Sequence, residues 1–265
     1  MRLKFFTLLL FLSLSIGALP SMGEKQERSE SGSPIYRHAD KTREWQAPEH
    51  SGRNIEAIES HVEKHIGKIE TVYHEVISDR VHLDVLFVPA TDDRPYHVLV
   101  TSGVSDLPML VPDGAEEFNR VELLMVLPED WPLSDESFKD EENYWPVRWL
   151  KQIGRLPHDY DTWIGWGHTI PNGDPPEPIA NTQFIGVMLS PAFWLNNDFY
   201  QLKAESGDTI TFYNLVPLYK EEMDLKLKVG ADEIEERFDQ QNIGFVLNPT
   251  RTNVGKSKSW FPWKR

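Results

Sequence analysis

His158, Asp159, Asp161 and His168 form the densest grouping in the chain of side chains able to do chemistry. Two imidazoles and two carboxylates suit a divalent cation, because neutral imidazole ligates zinc and carboxylate oxygen ligates harder ions. On that reading the chain is an exported metal-assisted hydrolase. Asp159 and Asp161, two apart, face one side of an extended segment, and paired carboxyls roughly 5–10 Å apart serve glycoside hydrolysis. Position weighs against both readings: His158 is expected just past a helix end and His168 late in the next strand. His61 and His65 also have a zinc-ligating spacing, but Val62, Glu63 and Lys64 between them break the HExxH order. A solvated helix face is the expectation there. GxGxxG, the phosphate loop GxxxxGK[ST] and the nucleophile elbow GxSxG are missing. Ser102-Gly103 and Ser105-Asp106 read as polar turns, since nothing marks either serine as activated.

Beside the polar grouping stand Tyr160, Trp163 and Trp166, and the run Trp163-Ile164-Gly165-Trp166-Gly167-His168-Thr169 alternates aromatics with glycine. Trp and Tyr supply large rigid contact area with a polar handle. Glycine in a strand lets another backbone approach closely. An aromatic platform with accessible backbone suits capture of an extended peptide by strand addition. Arg155, Tyr160, Trp163, Trp166, Gly167 and His168 are therefore the candidate partner-contacting residues. This preferred reading implies no catalysis, no cofactor and no metal.

The elements that must position these residues are legible from periodicity. Ile55, Ile58, Val62 and Ile66 share one helix face behind a possible cap at Asn54, with Gly67 as a stop. Strands are expected over Thr71–Ile77, Val81–Val88, Tyr96–Thr101, Arg120–Leu127, Thr162–Ile170, Phe184–Ser190, Thr209–Leu218 and Ile243–Leu247. The nearly continuous apolar run Val121–Leu127 reads as a strand buried on both faces. Helices are expected over Trp145–Arg155, with Pro146 in its first turn, over Tyr219–Val229 ending at Gly230, and over Glu233–Gln240 capped by Asp232. The acidic stretch Glu129–Glu142 lacks the alternating ligands and central glycine of a calcium loop and reads as a solvated connection. The order is mixed, not alternating βαβ, so the fold class is α+β: a mixed, largely antiparallel sheet with helices packed on it.

Composition bounds the partners and the compartment. The 265 residues are 40% hydrophobic, enough for a sizeable core. Lys+Arg total 27 against 42 Asp+Glu, and the formal net charge of −15 repels phosphate, so nucleic acid is a poor partner and a basic protein a good one. Cysteine is absent, which removes disulfides, thiolate metal sites and a Cys nucleophile together. Residues 1–23 read as a signal peptide: Arg2 and Lys4, then an apolar run, then small residues. The run is shorter than the roughly 20 residues of a spanning helix, so cleavage leaves no membrane anchor and an exported, periplasmic or secreted, chain. Residues 24–45 read as a flexible polar leader, 46–250 as one domain, and 251–265 as a basic flexible tail.

One resemblance runs through this domain. Tyr96-His97-Val98-Leu99-Val100-Thr101-Ser102-Gly103-Val104-Ser105-Asp106-Leu107-Pro108-Met109 is similar to the start of the suppressor-of-fused domain. Arg120-Val121-Glu122-Leu123 resembles its Glu-centred buried strand, and Trp145-Pro146 with Trp149-Leu150 its helix. Gly167-His168-Thr169 falls where the family has a His-bearing strand, with Gly167 in place of the acid that precedes that His in animal members. Ile210-Thr211-Phe212-Tyr213 and Leu218-Tyr219-Lys220-Glu221-Glu222-Met223 are similar to the late strand and the following helix start. The resemblance implies a single α+β domain that binds proteins without catalysis. Animal members, which carry a second domain, restrain transcription factors by gripping a short peptide, and bacterial members are suggested to neutralise toxins as immunity proteins.

Overall fold

The computed structural model describes residues 26–39, 44–48, 51–192, 195 and 197–256. The expected signal peptide and residues 257–265 lie outside them. Strands β1 (Thr71–Tyr73), β2 (Asp84–Val88), β3 (Tyr96–Ser102) and β4 (Val121–Pro128) run antiparallel, each to the next. Four further strands complete the sheet: β5 (Thr169–Pro171), β6 (Phe184–Pro191), β7 (Gln201–Lys203) and β8 (Thr209–Tyr219). β8 pairs β4 in parallel and β6 antiparallel, and β6 carries β5 at the far edge. β7 pairs the first residues of β8. One parallel seam in an eight-stranded, otherwise antiparallel sheet is the α+β architecture that the mixed order of elements implies.

Helices α1 (Ile55–His65), α2 (Glu141–Tyr160), α3 (Lys220–Val229) and α4 (Ala231–Gln240) pack on this sheet. The two-residue period of the strands serves two cores at once. Val85 and Phe87 of β2, with Leu123, Met125 and Leu127 of β4, join Trp145, Trp149, Leu150 and Ile153 of α2. Leu86, Val88, Leu124 and Val126 join Ile58 and Val62 of α1. Coverage on both faces explains why β4 shows no polar alternation. A third cluster joins α3 and α4 to Met188 and Leu218 at the end of β6 and β8.

Several boundaries differ from the sequence expectation, each for a local reason. α2 starts at Glu141, not Trp145, because Asp140 caps it by accepting the N–H of Glu142 at 2.9 Å. It continues past Arg155 to Tyr160 and stops where Asp161 turns left-handed at φ 52°. Gly154 lies mid-helix, where a Cβ would fall 2.7 Å from Leu83 Cδ1 and from Val104 Cγ2. The helix there lies against the sheet too closely for any side chain. Asn54 precedes α1 without capping it, because its side chain bonds Asp208 and Ser206 instead. Asp232 falls inside the first turn of α4, and Gly230 takes the cap position. Thr162–Ile170 is not a strand: only Thr169–Pro171 pairs, and Gly167 at φ 73° turns the chain before it. Ile243–Leu247 reduces to a single parallel bridge from Val246 to Val126. The expected strands Thr71–Ile77 and Val81–Val88 shorten to β1 and β2, leaving a long loop at 74–83.

The basic segment expected as a flexible tail is, over residues 251–256, part of the domain. Arg251 forks onto Glu222 with two contacts of 2.6 Å, and both side chains are buried. Its guanidinium also lies over the rings of Phe184, Tyr219 and Phe238 at about 5 Å. Val254 is buried beside it and donates its N–H to Glu222. Within the polar leader, Ser31 N–H donates to the Leu227 carbonyl, and Arg37 pairs with Glu27 and Asp174.

Candidate functional site

Gly103 ends β3 at φ 114°, with the His82 carbonyl 1.9 Å from where a Cβ would stand. Only glycine makes that turn, and Val104–Asp106 follow as a short 3₁₀ turn. The fully buried Glu122 of β4 receives the turn. Its carboxylate accepts from Thr101 Oγ1 (2.5 Å), Gly103 N (3.0 Å), Ser105 N (3.0 Å) and Ser105 Oγ (2.7 Å). Burial pushes its pKa up to about 7, while the bonds from Thr101 and Ser105 pull it down. Ser105 thus spends its hydroxyl proton on structure, as a polar turn should.

The Val104 carbonyl accepts from Nε2 of His158, at 3.0 Å, which pins the end of α2 to the turn. Burial drives the His158 pKa down to about 4, so the ring is neutral near pH 7. Arg80 bonds the His158 carbonyl and pairs with Asp161 at 3.1 Å. Arg155 pairs with Glu75 and donates to the Asp79 carbonyl at 3.1 Å. Loop 74–83, the end of α2 and the segment after the turn are thereby drawn around a shallow cleft of about 510 Å³. Gln46, Arg80, Leu107, Leu110, His158 and Asp161 are among its walls.

Apolar side chains stand in solvent on loop 74–83, on the cleft wall at Leu110, and at Trp45. Val76 is 96% exposed and Ile77 79%, and Leu110 and Trp45 are exposed as well. The chain's own residues 45–47 already lie here as an extended segment would. Trp45 Nε1 donates to the Ser78 carbonyl (3.0 Å), Gln46 N–H to Asp79 Oδ1 (2.9 Å), and Arg80 N–H to the Gln46 carbonyl (2.9 Å). Loop 78–80 thus holds an extended segment of the chain itself through main-chain and side-chain partners.

The residues singled out from sequence do not gather into one site. His158 serves the turn, Asp161 serves Arg80, and His168 lies apart, edge-on to Trp163 with ring centroids 4.3 Å apart. Burial lowers the His168 pKa to about 4. The four-residue metal cluster is thus not assembled, because the turn at 161–168 carries His168 away from the end of α2. Nor does the aromatic–glycine segment form a strand platform. Trp166 is half exposed but bonds Glu235 of α4 at 3.0 Å, and Gly167 donates to the Leu189 carbonyl. Tyr160 lies tilted against His38, with centroids 5.1 Å apart, and Arg155 reaches loop 74–83 at Glu75 and Asp79. His61 is not on a solvated face: it is buried, bonds the Phe199 carbonyl at 3.0 Å and stacks on Phe199 and Phe212. Loop 74–83 is the feature that sequence reading missed, because its β-branched residues Val76 and Ile77 look like strand.

A mixed sheet with α2 on one face and α1 on the other, centred on a buried strand glutamate, defines a class of α+β domain. The family model for suppressor of fused protein (SUFU) matches residues 79–252. The chain belongs to that family. Among solved structures it is similar to a SUFU homologue from Neisseria gonorrhoeae, at 14% identity and a TM-score of 0.53, covering 75% of this chain and 95% of that one. A structure of the Sufu-Fu complex matches at 15% identity and a TM-score of 0.53, covering 79% and 93%. Drosophila Suppressor of Fused matches at 14% identity and a TM-score of 0.54, covering 76% of this chain but 51% of that longer one. At these identities the likeness is one of fold. Among curated proteins no relative matches.

Proposed function

We propose that this chain is an exported, non-catalytic protein-binding domain that captures an extended segment of a basic partner, in the manner of an immunity protein neutralising a toxin. The observation that carries the reading is the seating of residues 45–47 on loop 78–80, with Val76 and Ile77 exposed on the same loop and Leu110 exposed on the cleft wall. Solvent-exposed aliphatic side chains grouped beside a cleft favour a macromolecular partner. The Sufu-Fu complex supports it by analogy, since there a domain of this fold is held with another protein. The net charge of −15 favours a basic partner by steering encounter. Export rests on the signal-like residues 1–23. Among the described residues no helix is long and apolar enough to cross a membrane.

The test is site-directed photocrosslinking of the full chain in its exporting cell. A photoreactive residue at Val76, Ile77 or Leu110 should trap one protein. The same residue at Glu59, on α1, should trap none, and Val76→Glu with Ile77→Glu should abolish capture in a chain that still folds. Equal trapping from both positions, or none from either, overturns the assignment.

A further inference from the structure

The geometry points to a divalent transition-metal site, of the zinc class, formed by His74, His82 and Asp84. It is independent of the peptide-binding reading. One ligand atom from each residue lies within 4.8 Å of the other two, the one such group among the described residues. His74 Nδ1 stands 2.9 Å from Asp84 Oδ2, and His82 Nε2 stands 3.2 Å from Asp84 Oδ1. Ligand atoms on a tetrahedral zinc, at bond lengths of about 2.0–2.1 Å, lie about 3.3 Å apart. The donors, now up to 4.8 Å apart, draw together by as much as about 1.5 Å around an ion, a movement open to the exposed His74 side chain. Two imidazoles and one carboxylate are a zinc donor set that leaves a coordination position open, and His74, 70% exposed, puts that position in solvent.

The hydrogen bonds behind the site decide what it wants. Glu75, paired with Arg155, is a carboxylate and can only accept. Ser78 Oγ gives it its single proton, at 2.9 Å. Ser78 must then accept from His82 Nδ1, 2.7 Å away. With the ring proton on Nδ1, the lone pair of a neutral His82 is on Nε2 and faces the Asp84 oxygen. That lone pair, 3.2 Å from Asp84 Oδ1, has the orientation of a metal-ligating nitrogen. The chain Glu75–Ser78–His82 is also the outer arrangement that orients a ligating histidine and raises its basicity. Asp84 is held in turn by the Glu75 N–H at 3.0 Å. Lys151 directs its ammonium to the carbonyls of Tyr73 and His74. A metal here would tie loop 74–83, which carries Val76 and Ile77, to β2.

The test uses the untagged full chain with Co²⁺ and Zn²⁺ as probes. One equivalent of Co²⁺ should bind with visible bands of low-symmetry coordination and be displaced by Zn²⁺. Zinc-edge absorption on the unaltered protein should show two imidazoles and oxygen. His74→Ala and His82→Ala should each weaken binding about tenfold or more, and Ser78→Ala should weaken it through the outer arrangement. His65→Ala should leave it unchanged. No stoichiometric binding below about 1 mM, a first shell without two imidazoles, or His74→Ala and His82→Ala variants that bind as tightly as the parent overturns the site.

Discussion

Two fully buried glutamates hold this domain together, and they are compensated in opposite ways. Glu122, at the centre of the sheet, is met by neutral donors from the end of β3 and the turn that follows it, and burial pushes its pKa to about 7. Glu222, at the start of α3, meets a guanidinium from the far end of the chain, along with the N–H groups of Tyr219 and Val254. A carboxylate held by dipoles can shed its charge by taking up a proton. One held by a full charge cannot do so without stranding that charge. The first arrangement closes a local turn, whereas the second anchors a terminal segment onto α3, α4 and β6.

The sharpest way to break this contrast is Arg251→Ala. It strands a buried carboxylate and should cost about 3–5 kcal/mol in denaturant unfolding. A loss below 1 kcal/mol would mean that water reaches Glu222. Glu122→Ala should cost somewhat less, about 2–3 kcal/mol, because it orphans neutral donors and no charge. A loss larger than that of Arg251→Ala would reverse the contrast.

Acidity separates the two sites next. The folded pKa of Glu122 lies above the ordinary 4.5, so between about 4.5 and 7 the folded state keeps a proton that the unfolded chain has lost. Its contribution makes stability fall as pH rises through that window. His158 and His168 have folded pKa values near 4, below the ordinary 6.5, so theirs falls as pH drops from 6.5 towards 4. Thermal unfolding against pH should therefore tilt in opposite senses in two variants. In the parent two histidines outweigh one glutamate, so stability rises with pH from about 4.5 to 6.5; Glu122→Gln should steepen that rise, and His158→Gln should flatten it. Parallel curves for all three proteins would show that neither group titrates there. The smallest effect belongs to Lys220→Ala, which removes an exposed partner of Asp224 and should change stability by nothing measurable, in contrast to Arg251.

Much of the scaffold was legible because it is periodic. The apolar face Ile55, Ile58, Val62 marks α1, and the nearly continuous apolar run Val121–Leu127 marks a strand covered on both sides. The candidate site was far less legible. Val76 and Ile77 are β-branched and read as strand, yet they stand in solvent because the carboxylates of Glu75 and Asp84 take the N–H groups of Leu83 and Glu75. Trp163-Ile164-Gly165-Trp166-Gly167 looks like a platform. Its glycine lies at a positive φ that the letters do not disclose.

From residue order alone came the class of fold, the buried strand, the acidic surface and the family resemblance, since hydrophobic period, charge and short-range motifs are properties of neighbours along the chain. Tertiary structure alone decided that His158 and His168 part company, that His74, His82 and Asp84 meet, and that Arg251 belongs to the core. Such meetings depend on where a turn sends the next segment and on which buried charge needs a partner. Both are settled by packing across residues far apart in sequence.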